Sequence, residues 1–144
     1  MKICRMTEVD CERTGLLMKE CFSVPWSVEG LKEMFHTEGY CSFLAKEEEE
    51  VIGYVGMKMV LDEADITNVA VLPSQRKKGI AGKLLEQLLE EAKKQKLHSI
   101  YLEVRDSNVA ALTLYEHAGF KEVGQRKNYY DNPREDARLM LWEA

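Results

Sequence analysis

Residues 65–105 read DITNVAVLPSQRKKGIAGKLLEQLLEEAKKQKLHSIYLEVR, and three successive patterns in this stretch decide the architecture. Asp65 to Leu72 carries Ile66, Val69 and Val71 and reads as a strand. From about Gly79 to Lys96, Leu84, Leu85, Leu88, Leu89 and Ala92 recur on one face at helical spacing. His98 to Arg105 returns to alternation, with Ile100, Leu102 and Val104 on one side and Tyr101, Glu103 and Arg105 on the other. Strand, helix and strand in this order form a βαβ unit, whose two strands lie parallel with a right-handed crossover.

Working outward, Lys2 to Met6 reads as a short strand. Thr7-x-x-Asp10 resembles a capping box before a helix that points Leu16, Leu17 and Cys21 inward. Ser23 to Ser27 breaks that helix, and Ser27 caps a second one carrying Leu31, Met34 and Phe35. Tyr40 to Ala45 and Val51 to Leu61 read as strands joined at Lys46 to Glu50, where the glutamates sit on a solvated tip. Asn108 to Ala118 is a short helix, and Phe120 to Tyr129 and Ala137 to Trp142 close the chain as strands around an Asn132-Pro133 turn. The flanking strands read as hairpins. The expectation is one α/β (α+β) domain over residues 1–144, with a mixed, mostly antiparallel sheet, helices on both faces and one parallel unit.

Composition narrows the function classes. A chain of 144 residues with 45% hydrophobic and 31% charged residues suits a single globular domain. No apolar run nears the roughly 18 residues of a membrane span. The charged N-terminal stretch has no signal-peptide core, so a cytoplasmic location and no membrane partner are expected. A net charge of −5 disfavours direct nucleic-acid binding. Cys4, Cys11, Cys21 and Cys41 form no close pair and read as small apolar core residues. His36, His98 and His117 have no metal-ligand spacing, and no metal is expected.

Chemistry concentrates in two places. The first is the turn Gln75-Arg76-Lys77-Lys78-Gly79-Ile80-Ala81-Gly82-Lys83, which runs from a strand into a helix N-terminus. Backbone N–H groups there lack intrahelical partners, the helix dipole adds positive potential, and phosphate oxygens are the natural ligand. The spacing matches neither G-x-x-x-x-G-K-[ST] nor G-x-G-x-x-G. The second is the outgoing strand and helix. If helices cover both sheet faces, Glu103 is half-enclosed and a stronger base. The alternatives are an ion pair with a neighbour such as Arg105, or plain exposure. Asn108 and Tyr115, seven positions apart, share a helix face. One could bind a cofactor arm and the other reach a reacting atom. A helix cap and an aromatic packing residue are the competing readings.

R-x-x-G-x-A at Arg76 to Ala81, followed by N-x-x-A-x-x-x-Y-x-x-x-G-F at Asn108 to Phe120, resembles the GNAT superfamily of N-acetyltransferases. "PWS" at 25–27, "LDEA" at 61–64, "NVAV" at 68–71, "LEVR" at 102–105, "NYY" at 128–130 and "REDA" at 134–137 are most similar to the bacterial ribosomal-protein-alanine N-acetyltransferases. That resemblance implies acetyl-CoA as co-substrate and a protein N-terminus, that of a basic ribosomal protein, as acceptor. It implies Glu103 as proton acceptor and Tyr115 as proton donor. It assigns Val69, Ala70, Val71, Lys77, Lys78, Gly79, Ile80, Ala81, Gly82 and Asn108 to the cofactor, and Trp26, Tyr129 and Tyr130 to the acceptor groove. The alternative acceptors are lysine side chains or a small amine. The alternative class is a non-catalytic acetyl-CoA sensor.

Overall fold

A computed structural model describes residues 1–144. The strands are β1 (Lys2–Arg5), β2 (Tyr40–Glu47), β3 (Glu50–Val60), β4 (Glu63–Val71), β5 (Ser99–Arg105), β6 (Lys121–Tyr130) and β7 (Glu135–Glu143). The helices are α1 (Cys11–Cys21), α2 (Val28–Phe35), α3 (Ile80–Lys94) and α4 (Val109–His117). One sheet takes the order β1-β2-β3-β4-β5-β7-β6. Every pairing is antiparallel except β4 with β5. The α/β class and the single parallel unit hold as expected.

Local signals set most element boundaries. The Asp10 carboxylate accepts the Thr7 backbone N–H at 2.8 Å, starting a 3-10 turn that runs into α1. The Ser27 hydroxyl accepts the Gly30 N–H at 3.0 Å and starts α2. Lys46 donates to Asp10 at 2.6 Å, tying β2 to the head of α1. Burial alone would raise the Asp10 carboxyl, but Lys46 and the Thr7 donors outweigh it and hold it below its ordinary value.

Two apolar layers sandwich the sheet. On one side Ile80, Leu84, Leu85 and Leu88 of α3 and Leu112 and Tyr115 of α4 meet Met57, Ile100, Leu102, Val104 and Trp142. On the other, Leu17 and Met18 of α1 and Leu31 and Met34 of α2 meet Leu44, Val51, Tyr54 and Ala70. Leu16 departs from expectation: it is 63% exposed, and Met18 takes the inward place beside Leu17. Cys11 and Cys41 are core residues as read, Cys4 and Cys21 are half-buried, and all four are free thiols.

The two faces are covered unequally. Helix α1 packs on β3 and β4, and α2 packs on α1. On that side the β5-β7-β6 half of the sheet carries no helix, and Glu103 lies on it accessible to solvent. Its partial enclosure, with 31% of the side chain exposed, therefore does not come from α1 or α2. Its ion-pair partner is Arg126 (3.8 Å), not Arg105.

Candidate active site

The parallel pair is short, and this shapes the site. β4 and β5 pair only at Glu63–Ser99, Ala64–Ile100 and Asp65–Tyr101. Immediately beyond, the β3–β4 register slips, setting Gly56 against Asn68 and Met57 against Ile66 and leaving Thr67 as the extra residue. A bulge bends its strand and increases the local twist. From Ile66 to Val71, β4 therefore parts from Leu102 to Arg105 of β5, and a wedge opens inside the sheet.

The β4 edge of that wedge carries free backbone groups. Leu72 N–H donates to Ile52 O at 2.9 Å, toward β3. Alternation along an antiparallel ladder then turns the Val71 and Val69 peptide groups into the wedge. The Val71 carbonyl is fixed there by two donors, Arg76 Nε at 3.0 Å and Cys21 Sγ at 3.4 Å. Arg76 thus braces the strand end.

At the mouth of the wedge lies the turn into α3. No backbone N–H from Lys77 through Gly82 donates to a protein acceptor, and the first bond of the helix is Lys83 N–H to Gly79 O. Lys77 (φ 65°) and Gly79 (φ 78°) are both left-handed, which curls these amides into a nest. Such an array, at a helix N-terminus, binds phosphate oxygens. Lys78 Nζ is held by Gln75 Oε1 at 3.1 Å.

The other wall comes from α4 and the β6–β7 hairpin. The Asn108 side chain caps α4 through the Ala111 N–H (3.1 Å), so the cap reading of this residue is the observed one. Tyr115 is 7% exposed and packs edge-on against Phe120, centroids 5.7 Å apart. Burial first, then the neighbouring Tyr130 phenol, push its hydroxyl up to about 12. Arg105 holds the hairpin: it donates to the Pro133 carbonyl (3.0 Å), Glu135 (3.3 Å) and the Asp131 carbonyl (3.1 Å), and stacks over Tyr130 at 4.4 Å. Tyr129 is half-exposed against Tyr130, centroids 5.0 Å apart. The neighbouring Glu103 carboxylate, which favours the protonated phenol, raises Tyr129 above the ordinary phenol value. Burial and then Glu103 do the same for Tyr130.

Across the wedge, Trp26 faces Asn68 on β4. With the carboxamide turned to satisfy both neighbours, the indole Nε1 donates to Asn68 at 3.0 Å and Asn68 donates to the Thr67 carbonyl at 2.9 Å. Trp26 thus lies over Asn68 of β4, while Tyr129 and Tyr130 stand together near Glu103. Arg126, Arg105, Cys21 and Asn68 were not singled out for these contacts in the sequence. Their partners lie far away in the chain, and no local pattern announces them.

A nest of free amides at the mouth of a parted parallel strand pair suits a phosphate-bearing co-substrate laid into the sheet. The profile of the acetyltransferase (GNAT) family matches residues 12–120. A [ribosomal protein bS18]-alanine N-acetyltransferase of Haemophilus influenzae is 38% identical over 141 residues, covering 96% of this chain and 95% of that one. Its Escherichia coli counterpart is 38% identical over 118 residues, covering 81% and 79%. The crystal structure of the ribosomal-protein-S18-alanine N-acetyltransferase from Escherichia coli superposes with a TM-score of 0.89 at 33% identity, over 99% of this chain and 92% of that one. The chain belongs to the acetyltransferase (GNAT) family and is an acetyl-CoA-dependent N-acetyltransferase.

The left-handed Gly79 gives the turn a direct test. A Cβ added there meets nothing within 4 Å, so the cost of a side chain is conformational and not steric. Gly79→Ala is expected to raise KM for acetyl-CoA about five- to thirtyfold, from the roughly 1–2 kcal/mol that a left-handed residue costs. Steady-state kinetics at saturating acceptor measures it, and an unchanged KM would place the phosphates elsewhere.

Proposed function

We propose that the protein acetylates the N-terminal α-amine of a protein acceptor, the N-terminal alanine of a small basic ribosomal protein, within a single catalytic domain over residues 1–144. The observation that carries this reading is the solvent-exposed Glu103 on the β5-β7-β6 face, with Arg126 and Tyr129 beside it. A protein N-terminus is a flexible strand end with a cationic head, which an accessible carboxylate beside an aromatic ring can receive. The named relatives at 38% identity support the choice of alanine and of ribosomal protein bS18. A cytoplasmic site of action follows from that acceptor, and no helix is long and apolar enough to cross a membrane.

The residues take these roles. The amides of Lys77, Lys78, Gly79, Ile80, Ala81 and Gly82 hold the pyrophosphate of acetyl-CoA. Its pantetheine arm lies along Val69, Ala70 and Val71, with Asn108 on the opposite bank. The Val71 N–H, braced through its own carbonyl by Arg76 and Cys21, faces the thioester carbonyl and stabilises the developing oxyanion. Trp26, Tyr129 and Tyr130 line the acceptor. Glu103 takes one proton from the α-ammonium, the neutral amine attacks the thioester carbon, and the tetrahedral adduct re-forms its carbonyl as the C–S bond breaks; the second nitrogen proton leaves to water, and the CoA thiolate takes its proton from solvent. Tyr115 meets the departing sulfur. Holding both substrates at once supplies the proximity term.

Two peptides test the acceptor. One has a free N-terminal alanine and no lysine; the other has a blocked N-terminus and several lysines. Mass spectrometry is expected to show acetylation of the first alone. Modification of the second alone would move the assignment to lysine side chains, and cofactor binding with no product from either would mark a sensor.

A further inference from the structure

The face that carries Glu103 already contains a cation of the protein's own. Strands β5, β7 and β6 set Glu103, Leu139 and Gly124 in one row and Arg105, Ala137 and Arg126 in the next, all on the open face. Arg126 thus starts two strands from Glu103 and reaches over β7 to bring its Nε within 3.8 Å of the carboxylate. On the way its guanidinium lies 5.7 Å from the centre of the Tyr129 ring. Arg126 thus sits between an aromatic face and a carboxylate, the two groups that would receive a peptide ammonium.

The two arginines on this face differ in how firmly they are held. Arg105 is tied to two backbone carbonyls and to Glu135, and it stacks on Tyr130. Arg126 makes no side-chain hydrogen bond; its side chain is 56% exposed and that of Glu103 is 31% exposed. An ion pair this open and this long is worth at most about fivefold in an equilibrium constant. A competing ammonium delivered by a bound peptide can therefore displace it.

We propose that Arg126 is a displaceable stand-in for the acceptor's α-ammonium, occupying Glu103 until the acceptor replaces it and so setting acceptor affinity. The proposal rests on the reading of Glu103 as the group that receives the acceptor amine. In this arrangement the unliganded carboxylate keeps a counter-charge, and the cost of evicting Arg126 is subtracted from every acceptor's binding. Acceptors without a cationic end have nothing to exchange for it.

Calorimetric titration of the CoA-saturated enzyme with the lysine-free, alanine-initiated peptide tests this. Arg126→Met and Arg126→Gln are each expected to lower the peptide Kd about two- to fivefold, and KM for the same peptide by the same factor. An N-terminally blocked form of the peptide should bind all variants alike, and the gain should vanish when Glu103→Gln is added. Unchanged or weaker binding in both Arg126 variants would overturn the proposal. So would a gain that persists with the blocked peptide or in the Glu103→Gln background. Failure of the proton-transfer role reads out separately: full turnover by Glu103→Gln removes that role and leaves the Arg126 result to be decided by binding alone.

Discussion

Tyr115→Phe is expected to lose about 10²- to 10³-fold in turnover while KM for acetyl-CoA barely moves. The side chain is buried against Phe120, so removing one oxygen preserves the packing and deletes only the hydroxyl. That hydroxyl, pushed up to about 12, stays protonated at every working pH. A phenol raised this far is a weaker acid than a thiol, so complete proton transfer to the CoA thiolate is uphill. Tyr115 therefore contributes a hydrogen bond that strengthens as charge builds on sulfur, an interaction made mainly in the transition state. The raised value also has a sign that can be read: the neutral form persists upward, so no alkaline loss of rate assignable to Tyr115 should appear near pH 10. Stopped-flow or single-turnover kinetics gives the rate directly. A Phe variant turning over at the normal rate would remove Tyr115 from the chemistry.

Glu103→Gln is the second large effect, and its pH dependence separates two roles. A peptide α-amine has a pKa of about 7.7–8.0, so roughly a tenth to a fifth is neutral at pH 7. If Glu103 only removed the proton before attack, its loss would cost no more than about tenfold at pH 7. Acting on a proton in flight, it contributes about 10²-fold or more. The expected result is a loss of about 10²-fold at pH 7, of which about tenfold returns by pH 9 as the amine deprotonates unaided. A loss confined to tenfold and fully restored at pH 9 would reduce Glu103 to a proton sink. A full rate with an unshifted profile would place the base elsewhere.

The difference between these two residues shows where sequence reading stops. Tyr115 sits on a helix whose burial follows from its own spacing and from Phe120 five positions on. Glu103 sits on a strand where alternation assigns the face correctly but says nothing about what covers it. The face is open because α1 packs on β3 and β4 and α2 packs on α1, with Leu17, Met18, Leu31 and Met34 buried against Leu44, Tyr54 and Ala70 and not against β5. Leu16 failed for a related reason. Two adjacent leucines both suit an amphipathic stripe, and only the sheet beneath chose Leu17 and Met18. Asn108 could cap or bind from its position alone; the fold uses its carbonyl oxygen as the cap of α4 and leaves its amide nitrogen without a protein partner.

The sequence by itself determined the element order, the βαβ unit, the run of free amides entering α3 and the chemical types at 103 and 115. Each of these depends on local rules: side-chain periodicity, helix-end hydrogen bonding and glycine's tolerance of positive φ. Only the tertiary structure decided that the parallel pair ends at Asp65 and Tyr101, that a bulge at Thr67 opens the wedge, and that Arg76 and Cys21 clamp the Val71 carbonyl. It alone carried Arg126 across β7 to Glu103. Those features are contacts between residues far apart in the chain, fixed by strand register and sheet twist, and no local pattern encodes a register until the strands have met.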